Sequence, residues 1–227
     1  MLAPQKEAIF YPESNGKPMA ETDTHRDLIT RMVHLLQNAF PEAYVSGNIC
    51  LYYEEGNPRK MISPDTLLCR AQPKAKRRVY HAWEPNSQLD LVMEFSSTHT
   101  KREDHHKKKQ IYANILKVPY YLIFDPHAMY LHFFELKDVG YQLIESNAQG
   151  HWEMPLLGIQ VGLEVPNTLR LFDAEGFPIL TTAEQEAQRA DQAEQRAKQE
   201  AQRADQAEQT IQELQEELER LRKRGDA

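Results

Sequence analysis

Only two cysteines, Cys50 and Cys69, occur in this chain, both inside apolar, strand-like runs. That scarcity excludes a disulfide-stapled secreted scaffold, and it points to a reducing compartment in which both thiols serve as small core residues. Long apolar runs are missing too. No stretch approaches the roughly eighteen residues of a membrane span, and the first twenty residues lack a basic start followed by an apolar run. The expectation is a soluble, cytoplasmic protein with no membrane partner. Excess positive charge is the third absence: 27 Lys and Arg stand against 34 Asp and Glu, for a net charge of −7. Bulk electrostatics therefore repel nucleic acid, and binding to it has to come from local basic patches.

What is present divides the 227 residues into three parts. Residues 1–20 carry Pro4, Pro12, Pro18 and Gly16 with little periodicity and read as an N-terminal arm. Residues 21–180 hold the folded domain, and residues 181–227 change to an Ala/Glu/Gln-rich composition. Within the domain, Asp23 or Thr24 is placed to cap a helix over 25–40, where Leu28, Met32, Leu35, Leu36 and Ala39 recur at three and four before Pro41 stops it. β-formers at 48–53, a Gly56-Asn57-Pro58 turn and a run at 61–69 broken by Pro64 predict a hairpin. Residues 89–95 read as a strand buried on both faces, with Leu89, Leu91, Met93 and Phe95 on one side and Val92 sharing the other with Asp90 and Glu94. A helix over 103–116 and an apolar run at 120–124 complete a strand–helix–strand crossover, which sets the two strands parallel in one sheet. A second hairpin is expected from 130–136 and 140–144, and residues 146–180, with several Gly and Pro, read as irregular closing structure. The fold class is α/β (α+β), a central mixed sheet flanked by helices.

Chemistry concentrates at two strand ends and one helix. Asp65 follows Ser63-Pro64, Glu94 lies near the end of the 89–95 strand, and Lys108 sits on the helix after it. Two carboxylates and an ammonium suit metal-assisted phosphodiester hydrolysis: a divalent ion polarises a phosphate and acidifies water, while the ammonium orients that water or balances charge. Strand ends in Asp or Glu are also common without function, and Lys108 is one of many lysines, so the constellation has to be weighed as a whole. At 100° per residue, Ile111 and Ile115 mark the apolar side of the helix; Lys108 lies within a quarter turn of it, Lys107 is second, and Lys109 points away. Asp90 and Glu94 share a face but stand ~13 Å apart at strand spacing, too far for one ion. Asp65 is then the partner of Glu94, and Asp90 reads as a strand-end residue. Hard oxygen donors argue for Mg²⁺ or Mn²⁺. His99, His105 and His106 do not build a zinc site, because His105 and His106 point to different sides of a helix and no spaced Cys/His quartet exists. The excursion at 71–88, with Lys74, Lys76, Arg77 and Arg78 near Tyr80 and Trp83, suits gripping of a nucleic-acid backbone, and equally a solvated loop.

The run from Pro64-Asp65 through Glu94-Phe95-Ser96-Ser97-Thr98, Asp104, Lys108 and Tyr112 to Tyr121-Leu122-Ile123-Phe124-Asp125-Pro126 resembles the bacterial putative restriction endonuclease family within the PD-(D/E)XK nuclease superfamily. The likeness spans roughly residues 20–175, and the Ala/Glu/Gln/Arg-rich tail is similar as well. It implies a restriction-endonuclease-like core with Asp65 and Glu94 as metal ligands. The superfamily's lysine, expected two residues after the acid, is here Ser96. In the family it is commonly supplied from the following helix, which matches Lys108; a decayed site is the other consequence of that departure. Ser96, Asp104 and Tyr112 are implied as accessory residues, and so is His25, which matches a position often polar in the family. A capped helix bearing a surface histidine accounts for His25 as well.

In the tail, the ten residues at 186–195 recur unchanged at 200–209, an offset of two heptads. Ala183, Ala190, Ala197, Ala204, Ile211 and Leu218 occupy one heptad position; Ala193, Ala207, Leu214 and Leu221 occupy the other, interrupted by Glu186 and Glu200. Alanine seams bury little area, so the last two heptads carry the association. A coiled-coil homodimer through residues 183–224 is the expectation, with a lone helix stabilised by Ala propensity as the alternative. The sequence reading is thus a Mg²⁺- or Mn²⁺-dependent DNA endonuclease with Asp65, Glu94 and Lys108 catalytic, and Lys74, Lys76, Arg77, Arg78, Lys101 and Arg102 touching phosphates. Its competitor is a decayed nuclease fold that binds nucleic acid or protein and assembles through the coiled coil.

Overall fold

A computed structural model describes residues 9–14, 22–96, 103–164 and 168–225. The chain divides into two compact units, Met1–Thr181 and Thr182–Ala227. In the first, helix α1 (Asp23–Ala39) opens with Thr22 as its cap, the hydroxyl accepting from the His25 N–H. The cap is therefore one or two residues earlier than Asp23 or Thr24. Leu28, Ile29, Met32, Leu35 and Leu36 form the buried stripe of α1, as its three-and-four spacing requires.

Among the described residues twelve strands follow: β1 (Ala43–Ser46), β2 (Leu51–Tyr52), β3 (Met61–Ile62), β4 (Thr66–Pro73), β5 (Tyr80–His81), β6 (Leu91–Phe95), β7 (Tyr120–Asp125), β8 (Tyr130–Lys137), β9 (Gly140–Ile144), β10 (His151–Met154), β11 (Ile159–Glu164) and β12 (Thr168–Asp173). The main sheet runs β1-β4-β6-β7-β8-β9. Strands β6 and β7 are parallel, with Glu94 beside Ile123, and their other neighbours are antiparallel. This is the mixed sheet of a restriction-endonuclease-like fold. Every residue of β6 and of β7 is buried, because both faces of the sheet are covered. On one face Leu91, Met93, Phe95, Leu122 and Phe124 pack with α1; on the other Val92, Tyr121 and Ile123 pack with Ile111, Tyr112 and Leu116. Leu89 precedes the strand and joins this second cluster, not the side of Leu91 and Met93 as strict alternation demands.

The run at 61–69 splits at Pro64, so β3 pairs with β2 in a small sheet while β4 enters the main one. Residues 146–180 are not irregular: β10, β11 and β12 form a three-stranded antiparallel sheet. Strands β10 and β11 are joined by a tight turn containing Pro155 and Gly158, which mimics loop composition. Helix α2 (Thr182–Gly225) is continuous over 44 residues and accounts for the second unit. No described helix is long and apolar enough to cross a membrane.

Candidate active site

Antiparallel pairing of β4 with β6 brings Thr66 opposite Met93, so Asp65, one residue before, stands beside the Glu94-Phe95 step. The Asp65 Oδ2 accepts from the Phe95 N–H at 2.7 Å, locking the carboxylate onto the end of β6. Gly47 makes this approach possible. A Cβ there would lie 2.7 Å from an Ile29 methyl and 2.9 Å from the Asp65 carbonyl oxygen, and the latter, being backbone, cannot rotate away. Nothing in the sequence pattern singled out Gly47.

Glu94 is fully buried and Asp65 nearly so. The segment after β6 reaches Glu94 through two π-helical stretches, Glu103–Lys108 and Ile111–Ile115. The Leu116 N–H donates to the Ile111 carbonyl at 3.0 Å, five residues back. Such widened turns are rare and recur at functional sites. Here they change which residues face the sheet: Ile111, Tyr112, Ala113 and Leu116 are buried, whereas Ile115, expected inside from 100° spacing, is exposed. Lys108 and Tyr112 consequently converge on one carboxylate. Lys108 Nζ donates to Glu94 Oε2 at 2.7 Å and to the Ser63 carbonyl at 3.3 Å, and the Tyr112 hydroxyl donates to Oε1 at 2.7 Å. Burial and the adjacent Glu94 charge push the Tyr112 phenol well above its ordinary value, so it stays a donor.

His25 is not a mere surface residue. Its Nε2 lies 3.1 Å from Asp65 Oδ2, its side chain is 23 % exposed, and its ring meets Phe95 edge-on at 6.2 Å. A contact across forty residues leaves no local trace in the sequence. Ser96 is buried and its N–H donates to the Phe124 carbonyl at 2.8 Å. Lys107 is exposed, and Lys109 does not point away: its Nζ sits 3.5 Å over the Phe134 ring, where burial lowers its pKa. The Asp104 side chain, Lys101 and Arg102 lie outside the described residues, as do residues 97–100.

Asp90 stands apart from this group, as strand spacing requires. Its carboxylate takes the Arg70 N–H at 2.7 Å and the Arg70 guanidinium at 2.9 and 3.0 Å. In the basic loop, Lys74, Lys76 and Arg78 are exposed, Arg78 pairing with Glu13. Arg77 turns inward to Gln72 and Glu84 and lies 5.0 Å over the Tyr44 ring. Its guanidinium is committed to the domain, which removes it from the set free to grip phosphate.

The donor set fits a hard divalent ion. Both described partners of Asp65 sit on Oδ2, leaving Oδ1 clear of described donors. Mg²⁺ needs only one or two carboxylates, completing its octahedron with water and phosphate. No group of three His, Cys, Asp or Glu able to cage an ion occurs among the described residues.

A family model described as Uma2, putative restriction endonuclease, matches residues 3–170. Among curated proteins nothing matches.

Proposed function

This chain belongs to the Uma2 family of putative restriction endonucleases, and from that premise we propose that it is a divalent-metal-dependent DNA endonuclease whose site is Asp65, Glu94 and Lys108. The observation that supports the reading is the convergence of these three side chains, from the residue just before β4, from β6 and from the helix after β6, around a fully buried carboxylate. Burying a carboxylate costs free energy even when it is paired, and here that cost is offset by the Lys108 ammonium and the Tyr112 hydroxyl.

Asp65 and Glu94 would hold Mg²⁺ or Mn²⁺, which when bound supplies Lewis-acid polarisation of the phosphate and a water of lowered pKa. Lys108 does the work the chain itself supplies. Its ammonium, which in this structure reaches Ser63 and Glu94, orients the attacking water by hydrogen bonding and offsets negative charge growing on the non-bridging phosphate oxygens. The Phe95 N–H and His25 keep Asp65 in register, and Tyr112 does so for Glu94. Ser96 and Asp104 complete the accessory set.

DNA reaches the site through phosphate contacts from the exposed Lys74, Lys76 and Arg78, with Lys101 and Arg102 in the same role. Two copies associate through residues 183–224, which presents two sites to the two strands of a duplex. The reaction belongs in the cytoplasm, where the free thiols of Cys50 and Cys69 stay reduced.

The test is cleavage of plasmid and single-stranded DNA with Mg²⁺ or Mn²⁺ by the wild type and by Asp65→Ala, Glu94→Ala and Lys108→Ala. Loss of cleavage in all three supports the nuclease. A folded wild type that cuts neither substrate, yet binds DNA or protein, supports the decayed binding module instead.

A further inference from the structure

The two carboxylates of the site are held differently. Both described partners of Asp65, the Phe95 N–H at 2.7 Å and His25 Nε2 at 3.1 Å, lie on Oδ2. On Glu94, the Tyr112 hydroxyl takes Oε1 and the Lys108 ammonium takes Oε2. These last two donors differ in kind. Tyr112 is wholly buried, its ring packed 5.0 Å from that of Tyr121. Turning it away would strand a phenol and a carboxylate oxygen in the core. Lys108 ends a flexible stem whose side chain keeps 15 % exposure, and an ammonium on four rotatable carbons can yield its place.

We propose that Tyr112 and His25 set the cation specificity of this site: by each claiming one oxygen of a carboxylate, they restrict Glu94 and Asp65 to a single ligating oxygen apiece. The inference rests on the metal-dependent reading above. Its chemical consequence follows from coordination preference. Ca²⁺ takes about six to eight oxygens and often binds carboxylates through both, whereas Mg²⁺ keeps octahedral geometry with few protein oxygens and several waters. Two single oxygens satisfy the small ion and leave positions for water and phosphate. For Ca²⁺ the same two oxygens are a poor shell. Tyr112 and His25 are positioning residues in this account, since neither touches the reacting atoms.

The experiment uses the full chain without DNA. Mn²⁺ and Ca²⁺ affinities are measured by calorimetry for the wild type, Tyr112→Phe, His25→Ala, His25→Gln and Glu94→Gln, with circular dichroism and metal-free melting to establish folding. The wild type is expected to prefer Mn²⁺. Tyr112→Phe should narrow that preference by about tenfold or more, the scale on which residues behind a ligand tune affinity, because Glu94 regains its second oxygen for Ca²⁺. His25→Ala should shift the ratio the same way by less, since the Phe95 N–H still holds Oδ2, and His25→Gln, which keeps a donor, should restore it. A folded Tyr112→Phe in which both affinities fall together, leaving the ratio unchanged, overturns the proposal. Should that variant not fold, an unchanged ratio in His25→Ala overturns it equally. A wild type that binds neither ion and behaves as Glu94→Gln does overturns the metal-dependent reading itself, and this inference with it.

Discussion

Lys108 Nζ lies 2.7 Å from Glu94 Oε2, an ion pair in which the carboxylate is fully buried and the ammonium 15 % exposed. The pair spans the end of β6 and the π-helical stretch after it, so the lysine reaches the carboxylate from a helix and not from two residues further along the strand, where Ser96 stands.

Lys108→Ala is expected to act twice. Removing an ammonium that stabilises developing charge should lower cleavage by roughly 10²–10³-fold. It also leaves the Glu94 carboxylate buried with less compensation, and breaking a buried pair on one side costs on the order of 3–5 kcal/mol. Thermal melting and cleavage should fall together, while Lys107→Ala, at an exposed position, should change neither. Equal effects from the two lysines would remove Lys108 from the mechanism.

Asp90→Ala separates the two carboxylates of this segment. Asp90 is tied to Arg70 through three hydrogen bonds, one to backbone, and with Arg70 partly exposed, solvent screens much of that attraction. The expected loss is about 1–2 kcal/mol in chemical denaturation, with divalent-ion binding and cleavage retained. A loss of ion binding in a folded Asp90→Ala protein would contradict the pairing of Glu94 with Asp65.

The sequence carried the central architecture because β6 and β7 are continuous apolar runs, and only a strand covered on both faces tolerates that. Strand spacing set Asp90 apart and the helix face singled out Lys108; the structure puts Lys108 on Glu94 and Asp65 on the Phe95 N–H, and their catalytic roles are the proposal. The sequence did not carry the π-turns, since the same side chains suit an α-helix. Nor did it carry β10–β12, where the exposed Leu163 blurs the alternation, or the reach of His25 across forty residues to Asp65.

Gly47→Ala should damage the site without touching it. The added Cβ would meet the Asp65 carbonyl oxygen at 2.9 Å and the Ile29 methyl at 2.7 Å, so β4 or α1 must move. Overpacking of this kind costs about 1–3 kcal/mol. Because Asp65 is the residue displaced, the affinity for a divalent ion should fall by more than the stability loss explains. The comparison is with Ile29→Ala, which loosens the same contact and leaves Asp65 in place. Unchanged ion binding in Gly47→Ala would show that Asp65 is held by the Phe95 N–H alone.

The basic loop gives a prediction in which neighbouring residues behave differently. Arg77 is bound to Gln72 and Glu84 and lies over Tyr44, so Arg77→Ala should lower stability and leave the salt dependence of DNA binding unaltered. Lys74 and Lys76 are exposed. Replacing both by Ala should leave melting unchanged and reduce the slope of log affinity against log salt by about 2, one counterion for each lost phosphate contact. Titration of duplex DNA at several salt concentrations checks this. An unaltered slope would move the DNA path off the loop.

Removing residues 182–227 tests what the tail contributes. The division into Met1–Thr181 and Thr182–Ala227 predicts that the shortened chain keeps its melting temperature within a few degrees. Ile211 and Leu214 are more than half exposed in the single chain; on the proposed coiled-coil dimer they are buried against a partner helix, so sedimentation should change from dimer to monomer on deletion. Chemistry confined to Asp65, Glu94 and Lys108 needs no second copy, and single-stranded DNA should still be cut. Duplex DNA should instead accumulate nicks in place of double-strand breaks, because each encounter then brings one site to one strand. If cleavage of both substrates disappears while the domain stays folded, the tail is part of the catalytic assembly and not only its tether.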